Sequence, residues 1–325
     1  MDRRNAQLED LPPLELEPLR DLDLAEASGP ASEAYMAAAS GVVRRGDRVY
    51  VIGDDELHMG VFRLTDPGPG ALRRVLAGEL PATAEDRRKH KADLEALTVL
   101  PPFEDHPFGA LFGLGSGSGE GRDRGFVWAL AADGSLRDDP REIDLGPVYK
   151  LLREQISELN IEGAAVMGDR LWLLQRGNTD DGRNIVAELS LEQVMNSLRR
   201  DLTIDADELL ALSSYDLGEL DGIPLTFSDG TPVGRELLLF TASAEADDGI
   251  RGSVVGSIAL DGSVERLRTI DRRYKVEGIH ASLDTGVVDL LFVCDQDDDS
   301  SPSPLLSAAM PLDAQIEADH HRSDR

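Results

Sequence analysis

Acidic side chains set one residue before a small one recur along the chain. They are Glu95 before Ala96, Glu162 before Gly163, Asp221 before Gly222 and Glu277 before Gly278, with Ser40 before Gly41 in the same pattern. Carboxylates gathered in a partly desolvated place repel one another. A bound cation, a Lys or Arg partner, or protonation with a raised pKa relieves them. Oxygen donors of this kind suit Ca²⁺ or Mg²⁺ far better than Zn²⁺, and a cation so held polarises an oxygen and activates water. Lys91, Arg176 and Lys275 each lie close in sequence to one of these acids. They are the candidate counter-charges and, with Asn178, the candidate grips on an anionic substrate.

The elements that must position these residues form a repeat. The five small residues are spaced 55, 67, 59 and 56 residues apart. Each motif is followed by a turn signal and a β-rich run: 48–52, 110–114, 170–174, 236–240 and 289–293. Third strands follow at 60–64, 125–130, 184–189, 254–260 and 305–310, and fourth strands at 72–76, 142–145, 215–217 and 264–267. Short strands bounded by Gly, Asp and Asn, at such a period, predict a radial array rather than a parallel α/β sheet. The expectation is an all-β propeller of five four-stranded blades. Six is the alternative if the N-terminal region makes more than one strand. The last repeat lacks a fourth strand, so the segment around 14–24 is expected to close the final blade and seal the ring. Helical spacing over 147–159, with Pro147 at its start, and over 191–202 predicts two short helical insertions. One domain over 12–312 is expected, with 1–11 and 313–325 as flexible tails.

In a four-stranded blade the first strand lines the channel and the second runs back antiparallel. The start of the first and the end of the second therefore share one end of the ring. The second series contributes Asp54 and Asp55, Ser116 and Ser118, Arg176 and Asn178, Ser243 and Glu245, and Asp295 and Asp297. The expected cation ligands at that mouth are Glu95, Glu162, Asp221 and Glu277, with Asp54, Glu245 and Asp295. His58 and His280 lie near mouth strands and are the candidate general bases. A structural alternative stands beside this: the acids accept backbone N–H bonds from a neighbouring blade. The Gly-Ser run 115–119 lacks the Lys and Ser/Thr of a phosphate loop and reads as a flexible turn. Cys294 ends an apolar strand and reads as a packed thiol.

The phrases HKADLEALT (90–98), LNIEGAAV (159–166), LLQRGN (173–178), ELDGIPL (219–225), TASAE (241–245) and KVEGI (275–279) resemble an uncharacterised bacterial family related to phytase-like β-propellers. That resemblance implies the propeller fold and a calcium-binding acidic mouth. The acids match in kind at Glu95, Glu162, Asp221 and Glu277, whereas the basic residues that grip phosphate are reduced to Lys91, Arg176 and Lys275.

The chain has 325 residues and a net charge of −29, which argues against a nucleic-acid backbone or an anionic membrane face as partner. With a single cysteine it has no disulfide framework or multi-Cys zinc site. Its start carries no apolar leader, and no run reaches the roughly 18 apolar residues of a membrane span. A soluble, cytoplasmic, monomeric protein is expected. Two functions fit: a Ca²⁺-dependent (or Mg²⁺-dependent) hydrolase of the phosphoesterase or lactonase kind acting on a small molecule, or a non-catalytic propeller that binds a ligand or protein.

Overall fold

Runs such as Val49–Ile52, Leu171–Leu174 and Leu290–Val293 are apolar on both faces, which a strand tolerates only when it is covered on both sides. The computed structural model describes residues 3–29, 32–80, 86, 89–177, 183–246, 249–284, 286–295 and 300–311. It stacks these runs face to face as the second strands of five blades.

Strands β1 (Arg3–Asn5) and β2 (Glu17–Asp21) precede the repeats. Blade 1 is β3 (Ala39–Arg45), β4 (Arg48–Gly53), β5 (His58–Arg63) and β6 (Ala71–Arg74). Blade 2 is β7 (Leu94–Leu100), β8 (Ala110–Gly115), β9 (Arg124–Ala129) and β10 (Arg141–Asp144). Blade 3 is β11 (Ile161–Met167), β12 (Arg170–Gln175), β13 (Asn184–Ser190) and β14 (Leu209–Asp216). A short hairpin, β15 (Glu219–Leu220) and β16 (Ile223–Pro224), leads into blade 4. That blade is β17 (Thr226–Val233), β18 (Leu237–Ala246), β19 (Gly249–Ala259) and β20 (Val264–Thr269). Blade 5 is β21 (Val276–Asp284), β22 (Val287–Cys294) and β23 (Pro304–Pro311), completed by β2 pairing antiparallel with β23. The first strands pack in sequence, β3 on β7, β7 on β11, β11 on β17, β17 on β21 and β21 back on β3, so the ring is closed. The propeller has five blades, and the N-terminal strand seals the last one as expected.

The core is five seams rather than one mass. Tyr50 and Ile52 of blade 1 meet Leu111 and Phe126 of blade 2, and Trp172 and Leu174 of blade 3 meet Phe227 and Phe240 of blade 4. Val42, Val49 and Val51 face Leu291, Val293 and Leu305 across the closing seam. The two helices fall where the spacing put them: α1 (Gly146–Gln155), with Pro at its first turn, and α2 (Leu191–Arg200), capped by the Ser190 hydroxyl. Both add buried side chains to the seam between blades 2 and 3. Neither helix of the described residues is long and apolar enough to cross a membrane.

Two boundaries differ from expectation. The first strand of blade 4 is Thr226–Val233, not the segment around Asp221 and Gly222, which forms the turn between β15 and β16. Its Asp229-Gly230 pair and Pro232 read as turn chemistry. As the innermost strand its channel-side edge is unpaired, so a proline without an N–H fits there. Residues 3–11, taken as a tail, lie against the ring instead: β1 runs parallel to β14, and Leu8 bridges to Leu267. With Leu14 bridging Ile270 and Leu24 bridging Gly70, the N-terminal segment spans the outer edges of blades 3, 4, 5 and 1. Residues 313–325 lie outside the described residues.

Candidate functional site

Every blade repeats one local device. The pairing of its first strand with its second slips by one residue near the start, leaving Ser40, Glu95, Glu162, Ser228 and Glu277 as the extra residue of a β-bulge. A bulge re-aims a side chain. The residue after it must be small in most blades because neighbouring first strands approach closely there. A Cβ on Gly278 would lie 2.6 Å from the Ser40 carbonyl, and one on Gly163 would lie 3.0 Å from Asp229 Oδ1. The acid-then-glycine motif is thus a bulge followed by a backbone contact.

Blade 4 breaks the pattern, with Ser228 as its bulge residue and Asp229 in the small-residue place. Asp229 is fully buried; its Oδ2 accepts from Ile279 N at 2.9 Å and its Oδ1 from Gly230 N at 2.7 Å. Burial pushes its carboxyl well above the usual range, against the pull of those two N–H groups. The seam role that sequence reading offered for the Glu-Gly acids belongs to this residue.

At the mouth, side chains from all five blades form two linked clusters. In the first, the Lys91 ammonium contacts the Asp54 carboxylate and lies 2.8 Å from Asp93 Oδ1. Asp93 Oδ2 also accepts from the Ser116 hydroxyl, from Ser118 Oγ at 2.9 Å and from Arg122 Nη1 at 2.9 Å. Burial alone would raise the Asp93 carboxyl, but the Lys91 charge, hydrogen bonds from Lys91 and Ser116 and the Arg122 charge together hold it below the ordinary value. Asp93 takes a positive φ of 56°, a conformation Asp tolerates better than most residues. The Gly-Ser run is not a loose turn: Tyr149 donates to the Gly115 carbonyl at 2.8 Å and Arg153 to the Gly117 carbonyl at 2.6 Å.

In the second cluster Arg176 lies 3.4 Å from Glu162 Oε1 and contacts Glu245. Lys275 Nζ lies 3.4 Å from Glu277, 3.6 Å from Glu245 and 3.7 Å from Asp295. Glu162 also accepts from Asn160 Nδ2 at 2.6 Å. Burial drives the Glu162 carboxyl up to about 8; Arg176 opposes the rise while Glu277 and Asp93 add to it. Glu277 is raised by burial against the pull of Arg176 and Lys275. Glu95, between the two clusters, is raised well above its ordinary value by burial and by the charges of Glu162, Asp54 and Asp93. Its carboxylate has no hydrogen bond or ion pair among the described residues. One oxygen each from Asp54, Asp93 and Glu95 lie within 4.8 Å of one another. The arrangement offers oxygen donors for a hard cation. It also holds carboxyls whose pKa values are pushed apart, which is how one site supplies both an acid and a base.

Of the residues named from sequence, Asp54, Lys91, Glu95, Glu162, Arg176, Glu245, Lys275, Glu277 and Asp295 are brought together here. Asp221 is not: it is exposed in the hairpin turn and paired with Arg272. His58 opens the third strand of blade 1, two strands out from the channel, 3.6 Å from Glu56. His280 lies farther along β21, facing a cavity at the opposite end of the channel. Asn178 and Asp297 lie outside the described residues. Cys294 is buried among apolar neighbours, and burial pushes its thiol up. Asp93 and Arg122 were missed. The signal for Asp93 was present, because Asp93–Glu95, Asn160–Glu162 and Lys275–Glu277 share one spacing of two, the period of a strand.

No curated protein matches the chain. Among solved structures, the α-L-arabinofuranosidase PaAbf62A of Podospora anserina, in complex with cellotriose, is 12% identical, with a TM-score of 0.53 over 93% of this chain and 98% of that one. The catalytic domain of the Coprinopsis cinerea GH62 α-L-arabinofuranosidase is 12% identical, with a TM-score of 0.51 over 92% and 96%. Myxococcus xanthus glutaminyl cyclase is 11% identical, with a TM-score of 0.49 over 93% and 100%. At such identities the likeness concerns the fold alone. By sequence, residues 35–310 match the profile of DUF6929, and the chain belongs to that family of unknown function.

Proposed function

We propose that the acidic mouth holds a divalent cation and that the protein is a cation-assisted hydrolase of a small polar substrate. The observation that carries this reading is the convergence of Asp54, Asp93 and Glu95, where Glu95 makes no hydrogen bond or ion pair among the described residues and feels only the nearby Lys91 charge. Three oxygen donors favour Ca²⁺ or Mg²⁺ over softer metals. Lys91 sits between Asp54 and Asp93, so a cation must displace its ammonium, and affinity is correspondingly lower than for three free carboxylates. When bound, the cation supplies a polarised oxygen and an activated water. Glu162, protonated at neutral pH, is placed to donate a proton to a leaving group; Arg176 and Lys275 orient an anionic substrate.

A second reading, a non-catalytic binding propeller, draws on the fact that Lys91, Arg122, Arg176 and Lys275 already pair with much of the acidic charge. The experiment that separates the two measures turnover of phosphate esters and lactones with Ca²⁺, Mg²⁺ or chelator. Cation-dependent turnover that disappears in Glu162→Gln is the expected result. Ligand-linked stabilisation without turnover of either substrate class would leave the binding module as the function.

A further inference from the structure

The far end of the channel opens into a cavity of about 1100 Å³ that is separate from the acidic mouth. Its wall is apolar along one side, with Val99, Val166 and Phe108, and carries Arg44 and Arg45 from the end of β3 and His280 from β21. His280 is half-buried and lines the cavity, with the Ser282 hydroxyl 3.4 Å from Nε2. Burial drives its pKa down to about 4, and the charges of Arg44 and Arg45 push it the same way. The ring is therefore a neutral donor and acceptor close to the Arg44 and Arg45 charges, and Arg235 lines the same cavity. The acids along this cavity, Asp169, Glu192, Asp284 and Asp289, are all exposed, and Asp284 stands four residues beyond His280 on its strand.

We propose that this cavity is a second binding site, for a small organic oxyanion, a carboxylate or phosphate ester with an apolar body. Arg44, Arg45 and His280 contact the anionic group, and Val99, Val166 and Phe108 cover the rest. The exposed acids repel extended polyanions, so the site selects for small ligands. Placement on first strands fixed by the neighbouring blades gives the wall the rigidity a small-molecule site needs.

The test titrates the full chain with inorganic phosphate and separately with butyrate, read by calorimetry and by ¹⁵N shifts of the His280 ring, assigned with His280→Gln. Saturable binding of at least one anion that moves the His280 signals is expected, and which anion binds more tightly distinguishes a phosphate from a carboxylate ligand. Arg44→Gln with Arg45→Gln should weaken it at least tenfold at an unchanged melting temperature, and chelator should leave it unaltered. Absence of saturable binding by both anions would overturn the proposal. So would binding that leaves the His280 ring unmoved, or that survives in the double variant.

Discussion

The two ends of one channel carry charge in opposite ways. At the mouth, acids and bases from five blades interlock, and Lys275, with only 8% of its side chain exposed, reaches three carboxylates. At the far end, Arg45 and Arg235 are exposed, and Arg44 and Arg235 donate to the backbone carbonyls of Gly46 and Gly168. Buried charge must be compensated on the spot, whereas exposed charge is compensated by water. Folding stability therefore depends more on the charged side chains of the mouth than on the exposed arginines of the far end.

Removal of Lys275 tests that difference most strongly. Lys275→Ala leaves Glu245, Glu277 and Asp295 without their shared cation, and breaking a buried pair in this way costs about 3–5 kcal/mol. Arg45→Gln at the other end should stay within about 0.5 kcal/mol. Urea unfolding of both variants checks the contrast; equal losses would erase it. Next in size is the cation response. Ca²⁺ at 100 times its Kd should add about 2.7 kcal/mol over chelator, read in the same unfolding experiment. Asp93→Asn with Glu95→Gln should abolish that gain, and His280→Gln should keep it.

Much of this was legible beforehand, and the exceptions have physical causes. Second strands are covered on both faces, so Leu171–Leu174 and Leu237–Phe240 announce themselves as unbroken apolar runs. First strands are harder, being edges with a bulge. Where the bulge residue is Glu and the next is small the motif shows, as at 162–163. In blade 4 the same device is built from Ser228 and Asp229. Nothing in a buried aspartate's sequence context reveals that it accepts an N–H from the next blade, so the nearby Asp221-Gly222 turn took its place in the reading. The site residues on strands followed from period and topology. Arg122, in the turn before β9, reaches Asp93 through a loop, and no strand period marks it. The far cavity had no signal either, because its residues come from the ends of several strands with no shared motif.

Titration sharpens the comparison on a smaller scale. The folded protein keeps the Glu162 proton to about pH 8, while the unfolded chain releases it near the ordinary 4.5. That stability is complete below pH 4.5 and is lost as pH rises to about 8. Glu95 and Glu277 are raised too and act in the same direction. His280 acts oppositely, since the unfolded imidazole holds a proton near pH 6.5 and the folded one does not until about 4. Its contribution rises with pH up to about 6.5 and is then constant, so above pH 6.5 the raised carboxyls are left to act, Asp229 in the seam between blades 4 and 5 among them. Between pH 6.5 and 8, in chelator, Glu162 alone should make stability fall by up to about 1.4 kcal/mol per pH unit. Glu162→Gln should remove one group's share of the slope, and an unchanged slope would show that Glu162 ionises freely. The smallest effect belongs to Asp221, whose pair with Arg272 is half exposed on both sides. Water screens such an exposed pair, so Asp221→Asn should lower stability less than any of the changes above. It should leave the cation response intact, because the turn between β15 and β16 sends its side chain to Arg272 rather than to the channel. A lost cation response in that variant would return Asp221 to the mouth and undo the assignment of Ser228 as the bulge residue of blade 4.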